Sequence, residues 1–234
     1  MGKGLFITGT DTGVGKTFVA GALATLFRAR GIDVGVMKPV ETGCPRRDGR
    51  LHPQDALYLK ERAGSGDPLE EICSYPLAMP AAPSVAAEAA GVAIDLDRIV
   101  ERFRHLATRH HLTLVEGAGG LLVPLTDTAD YTHLIQKLHI PVLLVARASL
   151  GTINHTLLTW NWARHLDLPV LGVVVNQPTG PPSPSEEANL QALAKRLPAP
   201  LLGCVPYLQQ AHFDLSVLEK SLVPDRLLKL LEIA

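Results

Sequence analysis

Gly4-Leu-Phe-Ile-Thr-Gly-Thr-Asp-Thr-Gly-Val-Gly-Lys-Thr17 decides the fold: a short apolar run opens into a glycine-bearing loop that ends in Gly15-Lys16-Thr17. Leu5, Phe6 and Ile7 read as a buried strand, and Phe18, Val19, Ala22, Leu23, Leu26 and Phe27 repeat at helical spacing behind the loop. Strand, glycine loop and helix in that order predict a phosphate-binding loop. Gly13 and Gly15 let the backbone turn its N–H groups toward a polyphosphate, and Lys16 adds a point charge. Thr17 offers a hydroxyl to Mg²⁺, and the helix directs its positive end at the same anion. The spacing is irregular. The common pattern places its first glycine where Thr10 stands, whereas the glycine here is Gly9, one residue earlier.

Working outward, the chain of 234 residues is long enough for one large domain with a sizeable core. Lys and Arg number 22 against 23 Asp and Glu, a net charge of −1. Such a chain has no basic field for nucleic acid or an anionic membrane, so a bound phosphate is expected to sit in a local site on a small ligand. Cys44, Cys73 and Cys204 are far apart and include no Cys-x-x-Cys pair, which argues against a disulfide framework and a thiolate zinc site. No secretory leader, myristoylation motif or membrane-length apolar run is read, and a cytoplasmic location is expected. The nine histidines form no His-Glu-x-x-His array, so histidine metal binding is not expected.

The same alternation continues along the chain. Val34–Met37 reads as a second strand, ending in Lys38-Pro-Val-Glu-Thr-Gly43, and a helix runs from His52 to about Ala63 with Asp55 in its first turn. Residues 64–92, broken by Pro68, Pro76, Pro80 and Pro83, are expected to be a surface excursion with a short helix from Ser84 to Ala90. Leu96 to Ala107 is amphipathic and helical, Leu112–Val115 is a strand followed at once by Glu116-Gly-Ala-Gly-Gly120, and a helix lies near Asp130–Leu138. Pro141–Ala146 and Pro169–Val175 are buried strands flanking a long helix from Gly151 to Leu166. A rigid loop from Pro178 to Pro184, a helix from about Ser185 to Leu197, a strand at Leu201–Val205 and a helix after Pro224 complete the chain. Together these predict one α/β domain over residues 1–234, doubly wound, with a mostly parallel sheet flanked by helices.

In such a fold, ligands lie beyond the carboxyl ends of the strands. That rule gathers Gly9–Thr17, Lys38–Thr42, Glu116–Gly120, Gly151–Asn154 and Asn176 along one edge. Thr17, Asp55 and Glu116 are then oxygen donors suited to Mg²⁺, while Lys16 and Lys38 would neutralise charge on a transferring phosphoryl group. Asp11 either assists catalysis or shapes the turn, Cys44 is an incidental thiol with no base beside it, and Trp160 and Trp162 are packing or interface residues.

Gly9-Thr-Asp-Thr-Gly-Val-Gly-Lys-Thr17, Lys38-Pro-Val-Glu-Thr-Gly43, Val115-Glu-Gly-Ala-Gly-Gly120, Leu150-Gly-Thr-Ile-Asn-His155 and Pro198-Ala-Pro-Leu-Leu-Gly203, in this order, resemble the dethiobiotin synthetases of the biotin pathway. The resemblance covers nearly the whole chain and implies an ATP- and Mg²⁺-dependent closure of 7,8-diaminononanoate and carbon dioxide into a cyclic urea. It further implies that Thr12, Gly13, Val14, Gly15, Lys16, Thr17, Asp55, Glu116, Gly117, Ala118 and Gly119 contact ATP or its metal. Thr17, Asp55 and Glu116 match the metal ligands, and Lys38, Lys16 and Thr42 the catalytic groups. Lys38, Thr42 and Gly119 are expected at the diamine end of the substrate. Gly151, Thr152, Ile153 and Asn154, at a helix N-terminus, would take its carboxylate from the other subunit of a homodimer. Asn176, Gln177, Val205, Pro206 and Tyr207 match the nucleotide-base pocket; Gln177 and Tyr207 stand where some relatives place an acid and tryptophan.

Two other readings share the loop. A nucleotide-dependent switch of the partitioning or metal-delivery kind generally carries a lysine early in the loop, where this chain has Asp11 and Thr12, and needs no Lys38-Pro-Val-x-Thr-Gly. An amide-forming relative of cobalamin synthesis would need a glutamine-hydrolysing domain, for which 234 residues leave no room.

Overall fold

The strand that delivers the opening loop is the centre of the sheet. The computed structural model describes residues 3–181, 183–208 and 213–233. Its elements run β1 (Lys3–Gly9), α1 (Lys16–Ala29), β2 (Val34–Met37), β3 (Val40–Glu41), a hairpin of β4 (Arg46–Arg47) and β5 (Arg50–Leu51), then α2 (Gln54–Ala63), α3 (Leu69–Ile72), β6 (Tyr75–Pro76) and α4 (Pro83–Ala89). The second half runs α5 (Leu96–Arg109), β7 (Leu112–Glu116), α6 (Tyr131–Leu138), β8 (Val142–Arg147), α7 (Thr152–His165), β9 (Val170–Asn176), α8 (Pro184–Arg196), β10 (Leu201–Val205), α9 (Leu215–Leu222) and α10 (Pro224–Leu230). Pro182, in the expected Pro178–Pro184 loop, lies outside the described residues.

Six strands form the main sheet in the order β10-β9-β8-β1-β7-β2, every pair parallel. The side-chain alternation explains why the strands are apolar throughout. Phe6 on β1 enters one layer with Val115, Val142, Leu144 and Ala146, while Leu5 and Ile7 enter the other with Leu114, Leu143 and Val145. Helices cover both faces, so a polar residue on either side would be buried. From β1 the chain passes to the β2 edge, and after β8 it winds the other way, so the loops diverge over β1 and leave a crevice at the strands' carboxyl ends.

The predicted elements form within a residue or two of their expected ends, and local chemistry fixes several starts. Asp95 caps α5 by accepting from the backbone N–H groups of Asp97 and Arg98, and Ser183 and Glu186 form a capping box at α8. Residues 64–92 differ from the expected surface excursion. Ile72 of α3, Tyr75 of β6, Leu77, and Ala86 and Ala87 of α4 are all buried. β6 pairs with β3 immediately after Lys38, so this segment packs against the polar edge. Prolines mark its turns, but its elements are too short to show periodicity. Helix α9 was not expected; Asp214 caps it, and Leu218 and Leu222 bury one face. Among the described residues, no helix is long and apolar enough to cross a membrane.

Candidate active site

Gly9 ends β1 and Gly15 is the residue at which α1 begins. A Cβ on Gly9 would lie 2.7 Å from the Asp11 carbonyl oxygen and 3.0 Å from Lys16 Nζ, so the irregular glycine is the one the loop's closure requires. Gly15 has φ +91°, and a Cβ there would meet Asn176 Nδ2 at 2.0 Å. That amide donates to the Val14 carbonyl at 3.0 Å and ties the loop to the end of β9. Asp11 shapes the turn: its carboxylate accepts from the Thr12 N–H at 2.7 Å and lies 3.5 Å from Arg147 Nη2.

Beside the loop, a cavity of about 350 Å³ is lined by Thr12, Gly13, Gly15, Lys16, Thr17, Lys38, Glu41, Thr42, Asp55, Glu116, Ala118 and Gly119. Three strand ends and the first turn of α2 meet there. Lys38, buried, donates to Glu116 Oε1 at 2.6 Å and pairs with Asp55 Oδ2 at 2.9 Å. Thr17 Oγ1 donates to the same Glu116 oxygen at 2.8 Å. Lys16 Nζ donates to the Asp11 carbonyl at 3.3 Å, pointing back over the loop.

The electrostatics separate the two lysines. Burial alone would lower the Lys38 pKa, but the Glu116 and Asp55 carboxylates more than offset it and hold the ammonium above the usual lysine range. Lys38 is therefore a fixed positive charge. Lys16 is pushed down to about 8, first by burial and then by repulsion from Lys38, with the nearby carboxylates opposing. Cys44 lies under the site, its thiol donating to the Glu41 carbonyl at 3.3 Å, and burial pushes it up to about 11, which makes it inert.

Thr17, Asp55 and Glu116 fit a hard divalent cation: one hydroxyl and two carboxylates converge, and Glu116 Oε2 is buried with no hydrogen-bond partner among the described residues. Among the described residues, no group of three or more His, Cys, Asp or Glu is placed to hold a metal. The fit is thus to a cation that takes its remaining ligands from phosphate and water.

Several expected residues lie outside this cavity. Val14 is buried in the core, Gly117 packs on Phe6, and its carbonyl lies 3.4 Å from Lys38 Nζ. Asn176 and Gln177 are buried at the end of β9, where the Gln177 N–H donates to Val205; Tyr207 is exposed. Gly151, Thr152, Ile153 and Asn154 form the start of α7 and do not line the cavity of the single chain. Sequence reasoning missed one lining residue, Glu41, whose carboxylate caps α2 from 14 residues away. Its signal was an acidic side chain between Lys38 and Thr42, on the strand end that already carried polar groups.

Comparison with known proteins shows the family of the chain. A family described as an AAA domain matches residues 3–213. An ATP-dependent dethiobiotin synthetase of Anaeromyxobacter dehalogenans is 49% identical over 87% of this chain and 91% of its own length. The chain belongs to the ATP-dependent dethiobiotin synthetase family. A synthetase of Thermodesulfovibrio yellowstonii is 39% identical over 92% of both chains. Membership makes the chain an enzyme of the ligase class. Solved structures share its fold: a ParA family ATPase of Chlorobium tepidum (TM-score 0.56, 14% identity, 100% and 95% of the two chains) and the cell division ATPase MinD of Pyrococcus furiosus (0.55, 16%, 98% and 100%). At that identity the likeness is one of fold alone, and it bears out the doubly wound α/β architecture with a mostly parallel sheet flanked by helices.

Proposed function

We propose that this chain closes 7,8-diaminononanoate and carbon dioxide into the cyclic urea of dethiobiotin with conversion of ATP to ADP and phosphate. The observation that carries the reading is Lys38, a fixed cation held by Glu116 and Asp55 in the same cavity as the phosphate loop. One amine of the diamine captures carbon dioxide as a carbamate and releases a proton. A carbamate oxygen then takes the γ-phosphoryl group, and ADP leaves. The second amine attacks the carbon of the carbamic–phosphoric anhydride, the C–O bond to phosphate breaks, and phosphate leaves as the ring closes, carrying off the proton that the attacking nitrogen gives up.

Lys38 stays protonated throughout and acts by charge and hydrogen bonding on the carbamate, not as a base. Thr42, half-buried in the same cavity, offers a hydroxyl to the diamine end, and Ala118 and Gly119 also line it. Lys16 and the N–H groups from Gly13 to Thr17 hold the phosphates, whose charge draws the Lys16 proton back on. Thr17, Asp55 and Glu116 would hold Mg²⁺, which, when bound, neutralises charge on the β- and γ-phosphates. Asn176, Gln177 and Val205–Tyr207 would form the base pocket. We place the reaction in the cytoplasm, in keeping with three free cysteines.

The substrate's carboxylate would sit at the start of α7 in a partner copy. Gly151 there has φ +92° and provides no side-chain cap, which leaves first-turn N–H groups for an anion. The deciding experiment combines the protein with ATP, Mg²⁺, bicarbonate and diaminononanoate and detects dethiobiotin by mass. Product that requires all four is expected. ATP hydrolysis without a diamine requirement would mark a switch ATPase instead.

A further inference from the structure

Glu41 is assigned nothing by the reaction above, yet its carboxylate is buried at the edge of the cavity. Oε1 accepts from the Asp55 N–H and Oε2 from the Ala56 N–H, both at 2.9 Å. Those are the second and third residues of α2, the N–H groups that a Ser, Thr, Asp or Asn at the cap ordinarily satisfies. The cap position of α2 is Pro53, which has no side-chain acceptor, so the cap comes from β3 instead. Two bonds from one planar group fix both the position and the rotation of the first turn. Asp55 itself is 41% exposed and is held at its far end by Lys38 at 2.9 Å, so the turn that carries it sets whether its carboxylate reaches the site.

Glu41 is held in turn. Its carbonyl accepts from the Leu77 N–H at 2.8 Å, where β6 pairs with β3. A line of contacts therefore runs from the proline-broken segment through β3 to α2 and ends on the carboxylate that meets Lys38. We propose that Glu41 is a positioning residue: by capping α2 it aims Asp55 at the cation of a bound nucleotide, and so sets how strongly divalent metal tightens nucleotide binding. The inference rests on the reading of Asp55 as a metal ligand, but not on the ring-closing reaction.

The test is calorimetry of a non-hydrolysable ATP analogue with and without Mg²⁺, on the wild type, Glu41→Gln, Glu41→Ala, Asp55→Ala and the Glu41→Ala/Asp55→Ala double variant. Metal-free binding is measured for each variant as its own reference, and the quantity compared is the ratio of affinity with Mg²⁺ to affinity without it. The Mg²⁺ enhancement should fall about tenfold or more in Glu41→Ala, as residues behind a metal ligand typically show, and less in Glu41→Gln, which keeps one acceptor. In the double variant the loss should be no greater than in Asp55→Ala, because both act through one group. An unchanged enhancement in Glu41→Ala overturns the proposal, as do additive losses or an Asp55→Ala protein with wild-type enhancement. If Glu41→Ala does not fold, a wild-type enhancement in Glu41→Gln overturns it and a reduced one supports it. No diamine is present, so a wild type that makes no dethiobiotin removes the proposed reaction and leaves this comparison standing.

Discussion

At the scale of single residues, two lysines 22 positions apart carry opposite perturbations for physical reasons that the site makes plain. Lys38 has two carboxylates within hydrogen-bonding reach, whereas Lys16 has a carbonyl and a like charge. Lys38→Ala should abolish turnover and leave nucleotide binding largely intact, checked by product assay beside analogue binding; lost nucleotide binding would show that Lys38 serves the phosphates. The same variant leaves Glu116 buried without its cation, so stability should fall by roughly 3 kcal/mol in a denaturant titration. Lys16 behaves the other way. Its folded pKa of about 8 lies below the ordinary lysine value of 10.5, so between those limits the unfolded chain holds a proton that the folded chain has released. Stability contributed at this site rises with pH across that window, and the penalty below it is roughly 3 kcal/mol. Lys16→Met should therefore be more stable than wild type at pH 7, with the difference closing toward pH 10.5, while losing nucleotide affinity. Nucleotide binding by the wild type near pH 8 should take up a proton, seen as a dependence of the calorimetric heat on buffer ionisation enthalpy.

At the scale of elements, the loop between β1 and α1 owes its shape to contacts far along the chain. Gly15→Ala forces a side chain into the Asn176 amide in a left-handed backbone, and we expect a loss of about 2 kcal/mol or more together with nucleotide binding. Removing only the tether, by Asn176→Ala, should weaken nucleotide binding with less cost in stability. The elements legible in the sequence were those long enough to repeat. α5, with Ile99, Val100, Phe103, Leu106 and Ala107 on one buried face, and the six apolar strands of the main sheet fall into that class. α3, β3 and β6 have four residues or fewer, and two-residue strands have no pattern to read. α9, eight residues long, was not read from the sequence; in the structure Asp214 caps it, and Asp214→Ala should cost about 1 kcal/mol in a thermal melt.

At the scale of the whole molecule, the cavity of one chain holds the phosphate loop and Lys38 but not Gly151–Asn154. Leu122, Leu150, Leu158 and Trp162 are exposed, and Leu150 is 87% so, an apolar surface beside the segment expected to serve a partner copy. Leu158→Lys should yield a monomer that binds ATP normally and has a raised KM for the diamine, read by light scattering beside steady-state kinetics. A fully active monomer would remove the shared site. The sequence by itself determined the parallel α/β sheet, the phosphate loop, and the family to which Lys38-Pro-Val-Glu-Thr-Gly43 and its companions belong, because local periodicity and short motifs are written in neighbouring residues. Only the tertiary structure decided that Glu116 shares one oxygen between Thr17 and Lys38, that Gly9 is the glycine the loop needs, and that Glu41 caps a helix 14 residues away. Those facts depend on which side chains approach across strand ends, and burial sets the strength of each charge there. No single stretch of sequence carries either quantity.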